Sequence, residues 1–145
     1  MENQEQLDYY KKLIDATIDY SIETFELHDN PDFETFRQET SDYYNQGNLE
    51  VLMQWFDDLI EPMLDNTDLE FIDYLKEVTG FDVNIYEKLE AEVDELLKQK
   101  EIKTGDEYES ACMTFDYWIE TKPKDKKTAE LSSLIMNYEN LFDLD

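Results

Sequence analysis

The chain is short of nearly every residue type on which chemistry usually depends. Its 145 residues include one cysteine, one histidine, three glycines and three prolines, and Arg37 is the sole arginine. With Cys112 alone, no internal disulfide can form. His28 cannot supply both Glu-x-x-His motifs of a di-metal helical bundle. It also falls in a predicted turn, whereas a nucleophile's base would have to lie beside Cys112 or a serine. Cys112 itself lies on an apolar stripe with Tyr108 and Phe115 and reads as a core thiol. No phosphate loop, dinucleotide fingerprint or zinc spacing is present. Asp65-Asn66-Thr67-Asp68-Leu69-Glu70 starts like a calcium loop. However, Leu69 offers no oxygen at the fifth position, Glu70 replaces the required glycine, and Lys76 stands where the twelfth-position acid belongs. One guanidinium is little for a phosphate or carboxylate substrate. The residues therefore predict no enzyme, no metal and no cofactor.

Positive charge is also scarce. Twelve Lys and Arg face 38 Asp and Glu, for a formal net charge of −26. Such a field repels nucleic acid and anionic lipid, and it speeds encounter with a basic protein surface. It also weakens the compact state by self-repulsion, so a fold that carries it needs a use for it or a salty medium. The abundance of Ile, Lys and Tyr argues against a halophilic source, and solubility alone stays open as the simpler use. The one basic run, Lys122 to Lys127, is interrupted by Pro123 and Asp125 and reads as a solvated turn, not a phosphate site. No apolar run approaches the ~18 residues that span a bilayer. Met1-Glu2-Asn3-Gln4-Glu5 lacks the regions of a signal peptide. The expected location is cytoplasmic, with no membrane and no direct nucleic-acid partner.

What the chain does have is helical periodicity. The hydrophobic share is 41%, with eight Phe, ten Tyr and two Trp, too much for a disordered acidic tail. Leu7, Tyr10, Ile14, Ile18, Ile22 and Phe25 mark one face of a first helix, predicted to end near His28-Asp29-Asn30-Pro31. Asn30 and Pro31 open a second, with Phe33, Phe36, Thr40 and Tyr43-Tyr44, which stops at Gly47. Asn48 caps a third over Leu49, Leu52, Met53, Phe56, Leu59, Ile60 and Met63, and Pro62 lies near its end. Thr67-Asp68-Leu69-Glu70 has capping-box spacing for a fourth, which closes at Gly80. Phe81-Asp82-Val83-Asn84-Ile85 reads as a turn, and Asn84 to Glu87 as a second capping box for a fifth helix. Thr104-Gly105-Asp106-Glu107 is a third box, opening a sixth with Ala111, Phe115 and Trp118. A last helix carries Leu131, Leu134, Ile135, Tyr138, Leu141 and Phe142. The predicted fold is all-α, a compact bundle of about six or seven helices, with residues 1–145 forming a single acidic domain.

The acids fall into lines. On the first helix Asp8, Asp15, Asp19 and Glu26 share one line about a quarter turn from the Ile14/Ile18 face, with Glu23 beside it. Neighbours four or seven apart lie roughly 6 or 10 Å apart along the axis, a spacing comparable with phosphates on a DNA strand. Glu87, Glu90, Asp94 and Glu95 repeat the arrangement on the fifth helix, and Asp57, Asp58 and Glu61 add to it on the third. Such rows can occupy a groove shaped for nucleic acid. Asp-Tyr pairs recur at Tyr9, Tyr20, Tyr43, Tyr74 and Tyr117. A tyrosine flanked by acid suits an interface with a basic protein, and the competing reading is a ring covering the margin of the core.

From Ile102 to Ala111, Ile-Lys-Thr-Gly-Asp-Glu-Tyr-Glu-Ser-Ala, and again from Leu131 to Glu139, Leu-Ser-Ser-Leu-Ile-Met-Asn-Tyr-Glu, the chain resembles the N-terminal helical hairpin of HigA-type antitoxins. The likeness covers residues 102–142. The family's helix-turn-helix domain does not follow before residue 145, so the resemblance implies only a hairpin usable for toxin contact or for a homodimer. The expected function is an inhibitor of the immunity-protein, antitoxin or anti-defence type. It would block a basic nuclease, toxin or other nucleic-acid-binding protein by charge mimicry. Asp15, Asp19, Glu87, Glu90, Asp94 and Glu95 are the expected contacts, with Tyr20 and Tyr117 as anchors. The alternative is a helical adaptor whose acidity serves solubility.

Overall fold

A computed structural model describes residues 2–26 and 30–142. Among them are seven helices and no strand: α1 (Glu2–Thr24), α2 (Asp32–Asn45), α3 (Leu49–Asp65), α4 (Leu69–Thr79), α5 (Glu87–Gln99), α6 (Gly105–Thr121) and α7 (Lys126–Asn140). The all-α expectation holds. The helices group into two compact units, Met1–Val83 and Asn84–Asp145, at a boundary that the periodicity does not mark. His28, read from the sequence as a turn residue, lies outside the described residues.

In the N-terminal unit, α1 is the hub, packed by α2, α3 and α4. Its buried set, Leu7, Leu13, Ile14, Ala16, Thr17, Ile18 and Ser21, covers more than half of the helix circumference. The single stripe expected from Leu7, Ile14 and Ile18 is therefore only one edge of a wider contact. Phe25, expected on that stripe, is exposed. Thr17 can be buried because its hydroxyl donates to the Leu13 carbonyl at 2.7 Å, leaving no unpaired polar atom. Leu52, Phe56, Ile60 and Met63 from α3, and Phe71 and Leu75 from α4, complete this core.

The helix ends follow the sequence in most places. Asn48 caps α3, accepting from the Val51 amide, and Gly80 ends α4 at φ +77°. At α4 the cap is Asp68, not Thr67: the Asp68 carboxylate accepts from the Phe71 amide at 3.2 Å, and Thr67 turns the chain at φ +50°. Left-handed backbone at a β-branched residue is strained, and it is the cost of this tight connection. At α5 the expected box is also absent. Asn84 accepts from the Tyr86 amide at 3.0 Å, and the helix begins at Glu87. The box at α6 forms in full, with Glu107 N–H donating to Thr104 Oγ1 at 3.1 Å and Thr104 N–H to Glu107 Oε1 at 3.2 Å.

In the C-terminal unit α5, α6 and α7 pack pairwise around Val93, Leu96, Ile102, Ala111, Trp118, Leu131, Leu134 and Ile135. Trp118 is 1% exposed, and its indole N–H donates to Glu90 Oε2 at 2.6 Å. No helix among the described residues is long and apolar enough to cross a membrane.

Candidate protein-binding surface

The carboxylates singled out from the sequence mostly have partners within the chain. On α1, Asp15 pairs with Lys11 at 2.9 Å, one turn earlier. Asp19 accepts from Arg37 of α2. Asp8 accepts from Tyr44 and from Gln4, and these bonds hold its carboxyl below the ordinary range, the Tyr44 bond contributing most. On α5, Glu90 is the most enclosed, with its side chain 19% exposed. It accepts from Trp118, from Asn84 at 2.8 Å, and faces the Lys122 ammonium at 3.6 Å. Asp94 binds Lys127 at 3.0 Å, which raises the lysine's pKa. Glu95 pairs with Lys98 at 3.3 Å on open surface, where such a pair adds little stability. Glu87 is exposed in the first turn of α5. Five of the six acids named as contacts face a lysine or arginine within the chain.

The Lys122 to Lys127 turn explains much of this. Lys122 and Lys127 reach back to α5, and Lys126 approaches Glu130 at 3.8 Å. The basic run is a set of internal counter-charges, and Lys122 also lies over the Trp118 ring at 4.9 Å.

The tyrosines of the Asp-Tyr pairs are half-buried. Tyr20 donates to Asp68 Oδ2 at 2.7 Å and packs against Phe71 and Tyr74 at 5.0 and 5.1 Å between ring centres. Burial first, and then the Asp68 bond, push its hydroxyl up to about 12. Asp68 therefore caps α4 with one oxygen and tethers α1 with the other. Tyr117 stacks on Tyr86 at 3.9 Å with an 8° interplanar angle, and burial raises its pKa. Tyr9 packs on Phe81 at 4.6 Å. These rings cover core margins. Cys112 is half-buried, and burial raises its thiol pKa, so it stays protonated near neutrality.

Acid lacking a counter-charge gathers elsewhere. On α3, Glu50, Asp58, Glu61 and Asp65 are exposed along the side opposite Leu52, Phe56, Ile60 and Met63. On α4, Glu70, Asp73 and Glu77 are exposed opposite Phe71 and Leu75. None of these seven makes an ion pair with Lys or Arg among the described residues. From Glu50 to Asp65 the row extends about 22 Å, at 1.5 Å per residue. The sequence reading included Asp58 and Glu61 but missed the rest. Their signal was available, since each acid falls on the side of its own helix away from the buried positions. Among the described residues no group of three or more His, Cys, Asp or Glu side chains is placed to hold a metal ion. No protein-family model, curated protein or solved structure matches the chain.

Proposed function

We propose that this chain is a non-catalytic, acidic protein-binding module. It covers the cationic groove of a basic, nucleic-acid-handling enzyme or toxin and so inhibits it. The contacts are the outer faces of α3 and α4, in place of the α1 and α5 rows, most of whose named acids are paired within the chain. One observation carries the reading: seven exposed carboxylates without cationic partners, on two helices of a unit that holds 22 Asp and Glu against four Lys and Arg. Keeping that charge uncompensated costs stability, and a cationic partner would relieve the repulsion. The likeness of residues 102–142 to an antitoxin hairpin agrees with a neutralising role.

The adaptor reading has its own observation, the internal pairing of five of the six carboxylates first chosen. Salt separates the two. Binding to a basic nuclease through the α3 and α4 faces slows steeply in association as ionic strength rises, and the Asp58→Asn/Glu61→Gln/Asp65→Asn variant loses most of that dependence. A panel of basic nucleases assayed by surface plasmon resonance and by cleavage tests this. Equal association at low and high salt, or full inhibition by the triple variant, rejects charge mimicry.

A further inference from the structure

Of the helices in the N-terminal unit, α4 has the least support. It has 11 residues, short of the ~12–15 at which an isolated helix begins to persist in water. It packs chiefly on α1, whereas α2 and α3 pack on α1 and on each other. Its hold on α1 is a small set of contacts. Phe71 and Leu75 are buried. Tyr20 lies against the Phe71 and Tyr74 rings, and its hydroxyl donates to Asp68, the cap of α4.

The same seam is loaded against closure. Burial first, and then the charges of Asp19 and Glu23 on α1, raise the pKa of Tyr74 on α4. From the other side, Asp68 and Glu70 at the start of α4 act on Tyr20 of α1. Acids of both helices thus meet at one row of rings, and like charges at such range repel. The chain on either side of α4 is built to turn. Thr67 is held at φ +50° while α4 is docked, a strain that release would relieve. Gly80 ends the helix at φ +77° without strain.

We propose that α4 is a hinged arm, opening from α1 about Thr67 and Gly80 while α1, α2 and α3 stay folded, with the Tyr20–Asp68 bond as its catch and screening of its acids as what closes it. The opening does not rest on the inhibitor reading. A cationic surface laid on Glu70, Asp73 and Glu77 would close the arm as salt does, coupling closure to binding. Native-state hydrogen exchange on the full chain, resolved by residue, is the test. Amides of 73–79 should exchange faster than the core amides of α1 and α3, and with little dependence on urea, because opening the arm exposes little surface. Tyr20→Phe should speed them about fivefold, and raising salt from about 0.05 to 0.5 M should slow them by a similar factor. Trp55→Phe removes the indole bond from α3 to Thr40 of α2. It should speed exchange in α2 and α3 and leave 73–79 unchanged. If Trp55→Phe has no effect anywhere, the urea dependence decides alone. Exchange at 73–79 that follows α1 and α3 in urea, that quickens with Trp55→Phe, or that ignores salt overturns the proposal.

Discussion

The two units balance their acid to different degrees. The C-terminal unit has one lysine for every two acids, and its folding turn delivers Lys122 and Lys127 to Glu90 and Asp94. The N-terminal unit has four cations for 22 acids, two of them committed to Asp15 and Asp19. Glu90 and Asp94 in the first setting are structural members. Carboxylates on the outer faces of α3 and α4 contribute field and little else. A net charge summed over the chain hides this division. The same residue type anchors the fold at Glu90 and Asp68 and loads the outer faces of α3 and α4 with repulsion.

Four measurements press on this contrast, taken from the largest expected effect. Trp118→Ala should cost about 3–5 kcal/mol in urea unfolding, as expected for removing a fully buried large side chain. Glu90→Ala comes next, at about 1–3 kcal/mol, because it strands the Trp118 indole N–H in the core. If Glu90→Ala were instead neutral, the contrast would fail. Thr67→Gly should stabilise by about 1 kcal/mol by relieving left-handed backbone, read as a higher melting temperature. Smallest is Asp58→Asn/Glu61→Gln/Asp65→Asn, expected to change stability by no more than about 0.5 kcal/mol per site and in the stabilising direction at low salt. Destabilisation there would mean that these acids have structural partners.

Alkaline titration with and without Tyr20 probes the N-terminal unit. The folded pKa of Tyr20 lies near 12, above the ordinary 10 of an unfolded chain. Its contribution is therefore complete below pH 10 and is lost as pH rises towards 12. Tyrosinate absorbance should show several late ionisations, one of them missing in Tyr20→Phe, and unfolding should begin within that window.

Helices were legible because their ends carry local chemistry. Asn48, Gly80 and the Thr104–Glu107 box each act through neighbours within a few residues, and these were read correctly. Thr67 and Asn84 matched a spacing equally well, but the backbone chose otherwise, since Asp68 serves both the cap and Tyr20 from across the unit. That second demand is non-local and leaves no periodic trace. The internal partners of the acid rows were hidden for the same reason. A helical wheel places Asp15 and Asp19 on a ridge but cannot see Arg37 arriving from α2. Nor can it see Lys127 arriving 33 residues after Asp94. The rows on α3 and α4 were within reach, because their positions relative to the apolar face depend only on their own helix.

The two tryptophans are divided between the two units, and their indoles have unlike neighbours. Trp55 donates to the neutral Thr40 hydroxyl at 3.0 Å, and Trp118 to the charged Glu90. A carboxylate on the indole nitrogen shifts electron density and emission in a way a hydroxyl does not. Each unit therefore carries one tryptophan in a hydrogen-bonding environment of its own. Replacing either with phenylalanine leaves a single-channel readout with which denaturation of the halves can be timed separately, without any attached dye.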